Sequence, residues 1–224
     1  MERGEALAVV SGGMDSVTLA YLLKDEGYEL YLLSFDYGQR HRKELEYARR
    51  CAGRLGASFE VADISGVGRL LSGSALTDDV EVPHGHYAAE NMAATVVPNR
   101  NAILLAIAYG AAVARGSALV AAAMHAGDHP VYPDCRPEFV ESFEAMERLA
   151  VEGFGHPELR LYAPFIRKTK AQIVETGDTL GVPYGDTWSC YEGGEVHCGL
   201  CGTCTERKEA FALAGVPDPT EYRA

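Results

Sequence analysis

No run of apolar residues in this 224-residue chain approaches the ~20 needed to cross a bilayer as a helix, so no membrane partner is expected. The apolar run after Met1-Glu2-Arg3-Gly4-Glu5 is too short for a secretory leader, which predicts a cytoplasmic protein. Positive charge is also scarce: 20 Lys and Arg against 32 Asp and Glu leave a formal net charge of −12. Proteins that grip nucleic acid draw much of their affinity from basic contacts to phosphate. Nucleic acid is therefore not an expected partner, and a small-molecule substrate is favoured. The densest basic clusters are Arg40-His41-Arg42-Lys43 and Arg167-Lys168-Thr169-Lys170, each small enough to be a solvated helix start or a contact for a phosphorylated small molecule. Two phosphate-binding signatures are missing, the G-x-x-x-x-G-K-[ST] loop and the G-x-G-x-x-G fingerprint. There is no internal repeat and no low-complexity tract.

What is present begins at once. Leu7-Ala8-Val9-Val10 is a short apolar run of the kind that forms a buried parallel strand. Ser11-Gly12-Gly13-Met14-Asp15-Ser16 follows, and Val17, Leu19, Ala20, Leu22 and Leu23 then predict a mostly apolar helix starting near Asp15. Strand, Gly turn and helix N-terminus together aim backbone N–H groups at one point and make an anion site. Gly12 and Gly13 let the backbone approach a phosphate closely, Ser11 and Ser16 add hydroxyl donors, and Asp15 could hold Mg²⁺ on the phosphates. The plainer reading is a Ser-Gly turn in which Ser11 or Asp15 caps a helix.

Further strands are predicted at Glu29–Phe35, Ser58–Ala62, Ala118–Ala123 and Leu159–Tyr162. Helices are predicted from about Arg42 to Leu55, Arg100 to Arg115, Pro137 to Glu152, Lys168 to Leu180 and Thr205 to Ala214. In the Pro137–Glu152 helix, Phe139, Val140, Phe143, Met146 and Leu149 are expected to face inward, and Cys51 reads as a small buried hydrophobe. Strand–helix alternation indicates a doubly wound parallel sheet, whose ligands bind beyond the carboxyl ends of the strands. Met124-His125-Ala126-Gly127-Asp128 lies at such an end, and residues 64–97 read as a long functional loop or lid.

Cys190, Cys198, Cys201 and Cys204 crowd four of the six cysteines into 15 residues near the end of the chain. In a cytoplasmic protein this pattern reads as metal before disulfide. Four thiolates fit one structural Zn²⁺ per chain, with no position left for a catalytic water; an iron–sulfur cluster is the rival. His197 sits too close to Cys198 in sequence to ligate comfortably beside it. The metal is expected to fasten a tail too poor in apolar residues to fold unaided.

The loop at residues 11–16 resembles the SGGxDS pyrophosphate loop of the ATP pyrophosphatase superfamily, which splits ATP into AMP and pyrophosphate. Five further stretches are Asp36-Tyr37-Gly38-Gln39-Arg40-His41, Gly85–Glu90, Thr95–Asn101, Tyr132–Phe139 and Thr187–Tyr191. In that order they resemble the 7-cyano-7-deazaguanine synthase family of queuosine precursor synthesis, over about residues 6 to 210. The resemblance implies an α/β fold with a doubly wound five-stranded parallel sheet of the adenine nucleotide alpha hydrolase-like, Rossmann-like type. It also implies Zn²⁺ on the four cysteines and a homodimer. Residues 1–180 would form the nucleotide-binding unit and residues 181–224 a small zinc-binding segment packed on it.

The implied reaction joins ammonia to 7-carboxy-7-deazaguanine at the expense of ATP with Mg²⁺, giving the nitrile. By the same resemblance Ser11, Gly12, Gly13, Asp15 and Ser16, with Val10 and Met14 completing the loop, would hold the phosphates and metal. Gln39, Arg40 and His41 would lie near the nucleotide or the carboxylate, His41 being equally readable as a helix-start residue. Arg100 is a candidate phosphate clamp or a surface partner of a carboxylate, and Lys168 or Lys170 could neutralise pyrophosphate. Asp134 or Glu90 could read the 2-amino and N1–H edge of the ring; Cys135 reads as packing, since no strong base is evident beside it. Rivals that share the loop are other ammonia-using synthetases and tRNA-modifying enzymes, and a nucleotide-binding regulator without turnover is the rival of another class.

Overall fold

The computed structural model describes residues 3–85 and 90–224, without the side chains of residues 90 and 91. Five strands, β1 (Glu5–Val9), β2 (Glu29–Asp36), β3 (Ser58–Asp63), β4 (Leu119–Ala121) and β5 (Arg160–Tyr162), form one parallel sheet in the order β3-β2-β1-β4-β5. Helices α1 (Met14–Asp25), α2 (Glu44–Leu55), α3 (Ser65–Gly68), α4 (Arg100–Arg115), α5 (Pro137–Ala150), α6 (Lys170–Thr179) and α7 (Gly202–Ala214) complete the regular structure with short 3₁₀ turns.

Alternation along the strands builds two cores. Ala6, Ala8 and Leu32 face one side, where they meet α1, α2, α6 and α7; Leu7, Tyr31 and Leu33 face the other, under α4 and α5. Full burial of each large apolar side chain contributes ~1.5–3 kcal/mol, so both faces of the sheet hold the fold. Ala210 and Phe211 of α7 belong to the same core as β1, which ties the cysteine-rich tail to the sheet. Gly177 sits where any Cβ would strike the Tyr184 hydroxyl, so α6 runs through this glycine and packs closely on residue 184.

β1 lies between β2 and β4, so the chain leaves it first to one side and later to the other. At that switch point the loops after β1 and β4 diverge and open a crevice.

Three expectations are corrected. Met146 and Leu149 are 47% and 76% exposed, because at ~100° per residue Glu147, not they, follows Val140 and Phe143 onto the buried side of α5. The helix expected from Lys168 begins at Lys170, since Thr169 caps it and pairs reciprocally with Gln172. Met92–Arg115 does reach the length and mean hydropathy (1.3) of a membrane-crossing helix; α4 instead buries Leu105, Ala108, Tyr109 and Ala112 against the sheet.

Candidate active site

The loop after β1 is shaped mostly by its own hydroxyls. The Ser11 N–H donates to Ser16 Oγ at 3.2 Å, the Gly13 N–H to Ser11 Oγ at 3.2 Å, and Ser16 Oγ to the Gly13 carbonyl at 3.1 Å. Gly12 adopts φ +95° and lies on the start of α2 so closely that a Cβ would overlap the Glu44 carbonyl. Its own carbonyl accepts the Trp188 N–H at 2.9 Å, so the loop is gripped from one side by α2 and from the other by the cysteine-rich segment.

Asp15 stands in the first turn of α1, where the helix dipole favours an anion. Its Oδ2 is 3.3 Å from Lys170 Nζ and 3.8 Å from His125 Nε2, while its buried Oδ1 has no hydrogen-bond partner among the described residues. Lys170 also reaches Glu206 Oε2 at 2.5 Å. Burial alone would lower the Lys170 amine, but Asp15, Glu206 and Asp128 around it hold it well above its usual value. Burial raises the Glu206 carboxyl, an effect that Lys170 opposes. His125 Nδ1 accepts the Gly127 N–H at 3.1 Å, which leaves Nε2 as the donor facing Asp15 and Asp128.

Asp15, His125, Asp128 and Lys170 line a cavity of about 260 Å³. Its wall also carries Tyr37, His41, Glu44, Arg100, Tyr132 and Tyr191. Arg100 Nη1 donates to Tyr37 Oη at 3.2 Å, and its guanidinium lies 5.9 Å from the centre of that ring. The His41 and Tyr191 rings are 5.4 Å apart. Burial, reinforced by Arg100, pushes the His41 imidazole down to about 3, and burial pushes the Glu44 carboxyl up to about 7.

The four cysteines converge behind the loop. The Cys190, Cys198, Cys201 and Cys204 sulfurs all lie within 4.8 Å of one another, and all four residues are buried. Backbone N–H groups of Leu200 and Cys201 donate to Cys198 Sγ at 3.4 and 3.2 Å. The donor set therefore fits a single metal ion. His197 is not part of it: its Nε2 accepts the Ser189 N–H at 3.1 Å and its ring lies 4.3 Å from Trp188.

Of the residues singled out in the sequence, Val10, Ser11, Gly13, Met14, Asp15, Ser16, His41 and Arg100 line the cavity, and Gly12 supports the loop from behind. Four others go elsewhere. Gln39 donates to the Phe35 carbonyl and Glu44 and accepts from the Tyr37 N–H, so its amide is consumed in the turn after β2. Arg40 donates to the Asp78 carbonyl at 3.1 Å and lies 3.6 Å from Asp79, away from the cavity. Lys168 donates to Thr176 Oγ1, and Lys170 takes the place beside Asp15. Asp134 accepts the Asn101 N–H at 2.9 Å and so caps α4 from a distant loop. The side chain of Glu90 lies outside the described residues, as do residues 86–89 of the stretch before it.

Glu44 and Glu206 carry no motif that marks them, whereas Trp188 and Tyr191 lie in the Thr187–Tyr191 stretch; the helix start at Glu44 reads only as an acid favoured by the dipole. Cys135 does line the cavity, but burial, with Asp128 and Asp134 nearby, pushes its thiol far up, as packing requires.

A family model described as "Queuosine biosynthesis protein QueC" matches residues 5–215. The 7-cyano-7-deazaguanine synthase of Rhizobium johnstonii is 59% identical over 218 residues, 97% of this chain and 92% of that protein. The protein of the same name from Ruegeria pomeroyi is 57% identical over 218 residues, 97% and 94% of the two chains. Among solved structures, NMN synthetase from Francisella tularensis matches with a TM-score of 0.51 at 17% identity, over 95% of this chain and 77% of that one, a likeness of fold alone. With a family match across nearly its whole length and relatives identical at more than half of the aligned positions, the chain belongs to the 7-cyano-7-deazaguanine synthase (QueC) family.

Proposed function

We propose that this chain converts 7-carboxy-7-deazaguanine and ammonia to 7-cyano-7-deazaguanine, releasing AMP and pyrophosphate. The observation that carries this reading is the position of the residue 11–16 loop. It sits at the switch point of the sheet, with Asp15 and Lys170 in the lining of a cavity that also carries an aromatic, Arg-bearing wall.

A carboxylate is a poor electrophile and its oxygen a poor leaving group. Attack of the substrate carboxylate on the α-phosphorus of ATP expels pyrophosphate and makes AMP the leaving group. Ammonia then adds at the acyl carbon, AMP departs, and an amide remains. The amide oxygen takes a second adenylyl group; its departure as AMP, with loss of both nitrogen protons, leaves the nitrile. In each step charge develops on phosphate oxygens, where preorganised donors act most strongly.

The loop N–H groups, Ser11 and Ser16 would bind the pyrophosphate, Lys170 would neutralise it, and Arg100 would orient the carboxylate or the α-phosphate. Asp15, whose Oδ1 has no partner among the described residues, fits a Mg²⁺ ion, which supplies charge neutralisation when bound. Glu90 is the remaining sequence-derived carboxylate for the ring's 2-amino and N1–H edge.

The metal on the four cysteines is read as structural zinc. A tetrahedron with ~2.3 Å metal–sulfur bonds has edges of about 3.8 Å, and Cys198 Sγ and Cys204 Sγ are 3.9 Å apart. A four-iron cluster would hold its cysteine sulfurs farther apart. Residues 1–180 act as the nucleotide-binding unit and 181–224 as its zinc-fastened wall. Exposed Met146, Leu149 and Phe154 support a homodimer through the α5 side, and the acidic charge supports an enzyme without a nucleic-acid partner. Incubation with ATP, ammonium chloride and 7-carboxy-7-deazaguanine, read by mass, should yield the nitrile with AMP; stoichiometric ADP, or no product, overturns the reading.

A further inference from the structure

Amide formation releases two protons that the phosphate end of the cavity is poorly built to take. Near neutral pH ammonia is present mostly as NH₄⁺, which has no lone pair. The balance of the step is acyl adenylate plus NH₄⁺ giving amide, AMP and two protons. At the loop end the described acids are Asp15, Asp128 and Glu206, all clustered around Lys170.

Glu44 is different. It is the first residue of α2, 9% exposed, with its backbone carbonyl against Gly12 and its side chain lining the cavity. Its Oε1 accepts from Gln39 Nε2 at 3.1 Å, and its Oε2 is 3.5 Å from His41 Nε2. The charged and titratable groups around it are His41 in the turn before α2, Arg100 of α4 and Tyr37 after β2. Arg100 is engaged with the Tyr37 hydroxyl. A carboxyl held at about 7 is part ionised at neutral pH, and an imidazole held at about 3 is neutral.

His41 also points to a missing ligand. It is 4% exposed, and its Nδ1 is buried with no hydrogen-bond partner among the described residues. If Nε2–H faces Glu44, Nδ1 carries a lone pair and can only accept. A buried carboxylate and a buried acceptor left short of donors cost stability. A small cation with four N–H donors would satisfy both.

We propose that His41 and Glu44 form the ammonium subsite, with Glu44 as the base that takes the protons of amide formation. This deepens the proposed reaction and rests on it. An N–H bond of NH₄⁺ breaks, its proton passes to the Glu44 carboxylate, and the electron pair stays on nitrogen. That pair forms the bond to the acyl carbon as the C–O bond to AMP breaks. Glu44 passes its proton to water and then takes the second from the nitrogen cation. His41 Nδ1 orients the nitrogen by accepting one of its N–H bonds.

The test separates adenylation from amidation in Glu44→Gln. Pyrophosphate exchange into ATP, dependent on 7-carboxy-7-deazaguanine, precedes ammonia and should stay within a few-fold of the parent enzyme. Amide formation from ammonium chloride should fall by ~100-fold or more, the usual worth of a general base. Hydroxylamine, unprotonated at neutral pH, should restore acyl transfer as the hydroxamate. In His41→Asn the KM for ammonium should rise about tenfold, the worth of one hydrogen bond, with exchange unchanged. Loss of exchange together with amidation in Glu44→Gln, or equal loss with hydroxylamine, overturns the proposal. If Glu44→Gln does not fold, an unchanged ammonium KM in His41→Asn overturns it. Absence of exchange in the parent enzyme would instead overturn the reaction itself.

Discussion

The loop at residues 10–16 and the cysteine cluster at 190–204 touch, through the Trp188 N–H on the Gly12 carbonyl, yet they are built on opposite principles. The loop takes its shape from backbone: a glycine at φ +95°, hydroxyls bonded to nearby N–H groups, and α2 packed against its back. Its charges are directed at what it binds. The cluster has a different frame: four buried sulfurs within 4.8 Å of one another, the Leu200 and Cys201 N–H groups on Cys198 Sγ, the Thr203 hydroxyl on the Ser189 carbonyl, and a small apolar group that includes Val82 and Trp188. Without an ion, four sulfurs at that spacing gain no bond that joins all of them. One region is therefore shaped in advance for a transient ligand, while the other takes its shape from a permanent one.

If that contrast holds, the largest effect should come from the cluster. Replacing any one of Cys190, Cys198, Cys201 or Cys204 by Ser, or stripping the metal with a chelator, should remove on the order of 10 kcal/mol of local folding energy. Limited proteolysis should then cut within residues 190–205. A variant that stays folded, resists protease and merely loses activity would break the comparison from this side.

Asp15→Asn should do the reverse. Turnover should drop by ~10³-fold or more through loss of the charge that serves the phosphates, while the melting temperature moves little. A melting temperature that collapses would mean the loop is held up by the Asp15–Lys170 contact, not by its backbone.

Trp188 joins the two regions. Its indole Nε1 donates to the Cys190 carbonyl at 2.9 Å, and Lys43 Nζ lies 4.3 Å from the ring centre. Trp188→Ala should cost ~3–5 kcal/mol, as truncation of a buried aromatic does, and should also raise the KM for ATP. An unchanged KM would show the loop indifferent to the segment behind it.

The smallest effect concerns the loop's other support, the start of α2. Glu44 has a folded value of about 7, above its ordinary 4.5, so it favours the folded state at low pH and that contribution is lost as pH rises from about 4.5 through 7. Glu44→Gln should therefore gain stability relative to the parent between pH 5 and pH 8, by up to about 3 kcal/mol. Thermal melts across that range would check the sign. His41, depressed from 6.5 to about 3, acts oppositely: its contribution is present above 6.5 and lost as pH falls towards 3. His41→Asn should narrow the parent's loss of stability in acid.

Much of the frame was legible in local pattern. α4 runs from Arg100 to Arg115 as its Ala-rich periodicity predicts, and the five strands fall where short apolar runs stand. The two metal- and phosphate-type motifs are local as well, because their residues lie within 6 and 15 positions of one another. Polar residues outside such motifs were harder to place. Lys168 and Lys170 differ by two positions, and the Thr169 cap decides which of them begins the helix beside Asp15. Asp134 looks like an exposed acid in a loop, but it accepts the backbone N–H of Asn101, 33 residues earlier.

The sequence by itself determined the parallel α/β layers, the loop and the four converging cysteines, since hydrophobic period, glycine placement and ligand spacing are local properties. Only the tertiary structure decided which charges face the cavity. Gln39 and Arg40 were taken by the turn and the neighbouring loop, while His41 and Glu44 were left inside. A polar side chain satisfies whichever partner the packed fold brings within reach, and that partner is most often distant in the chain.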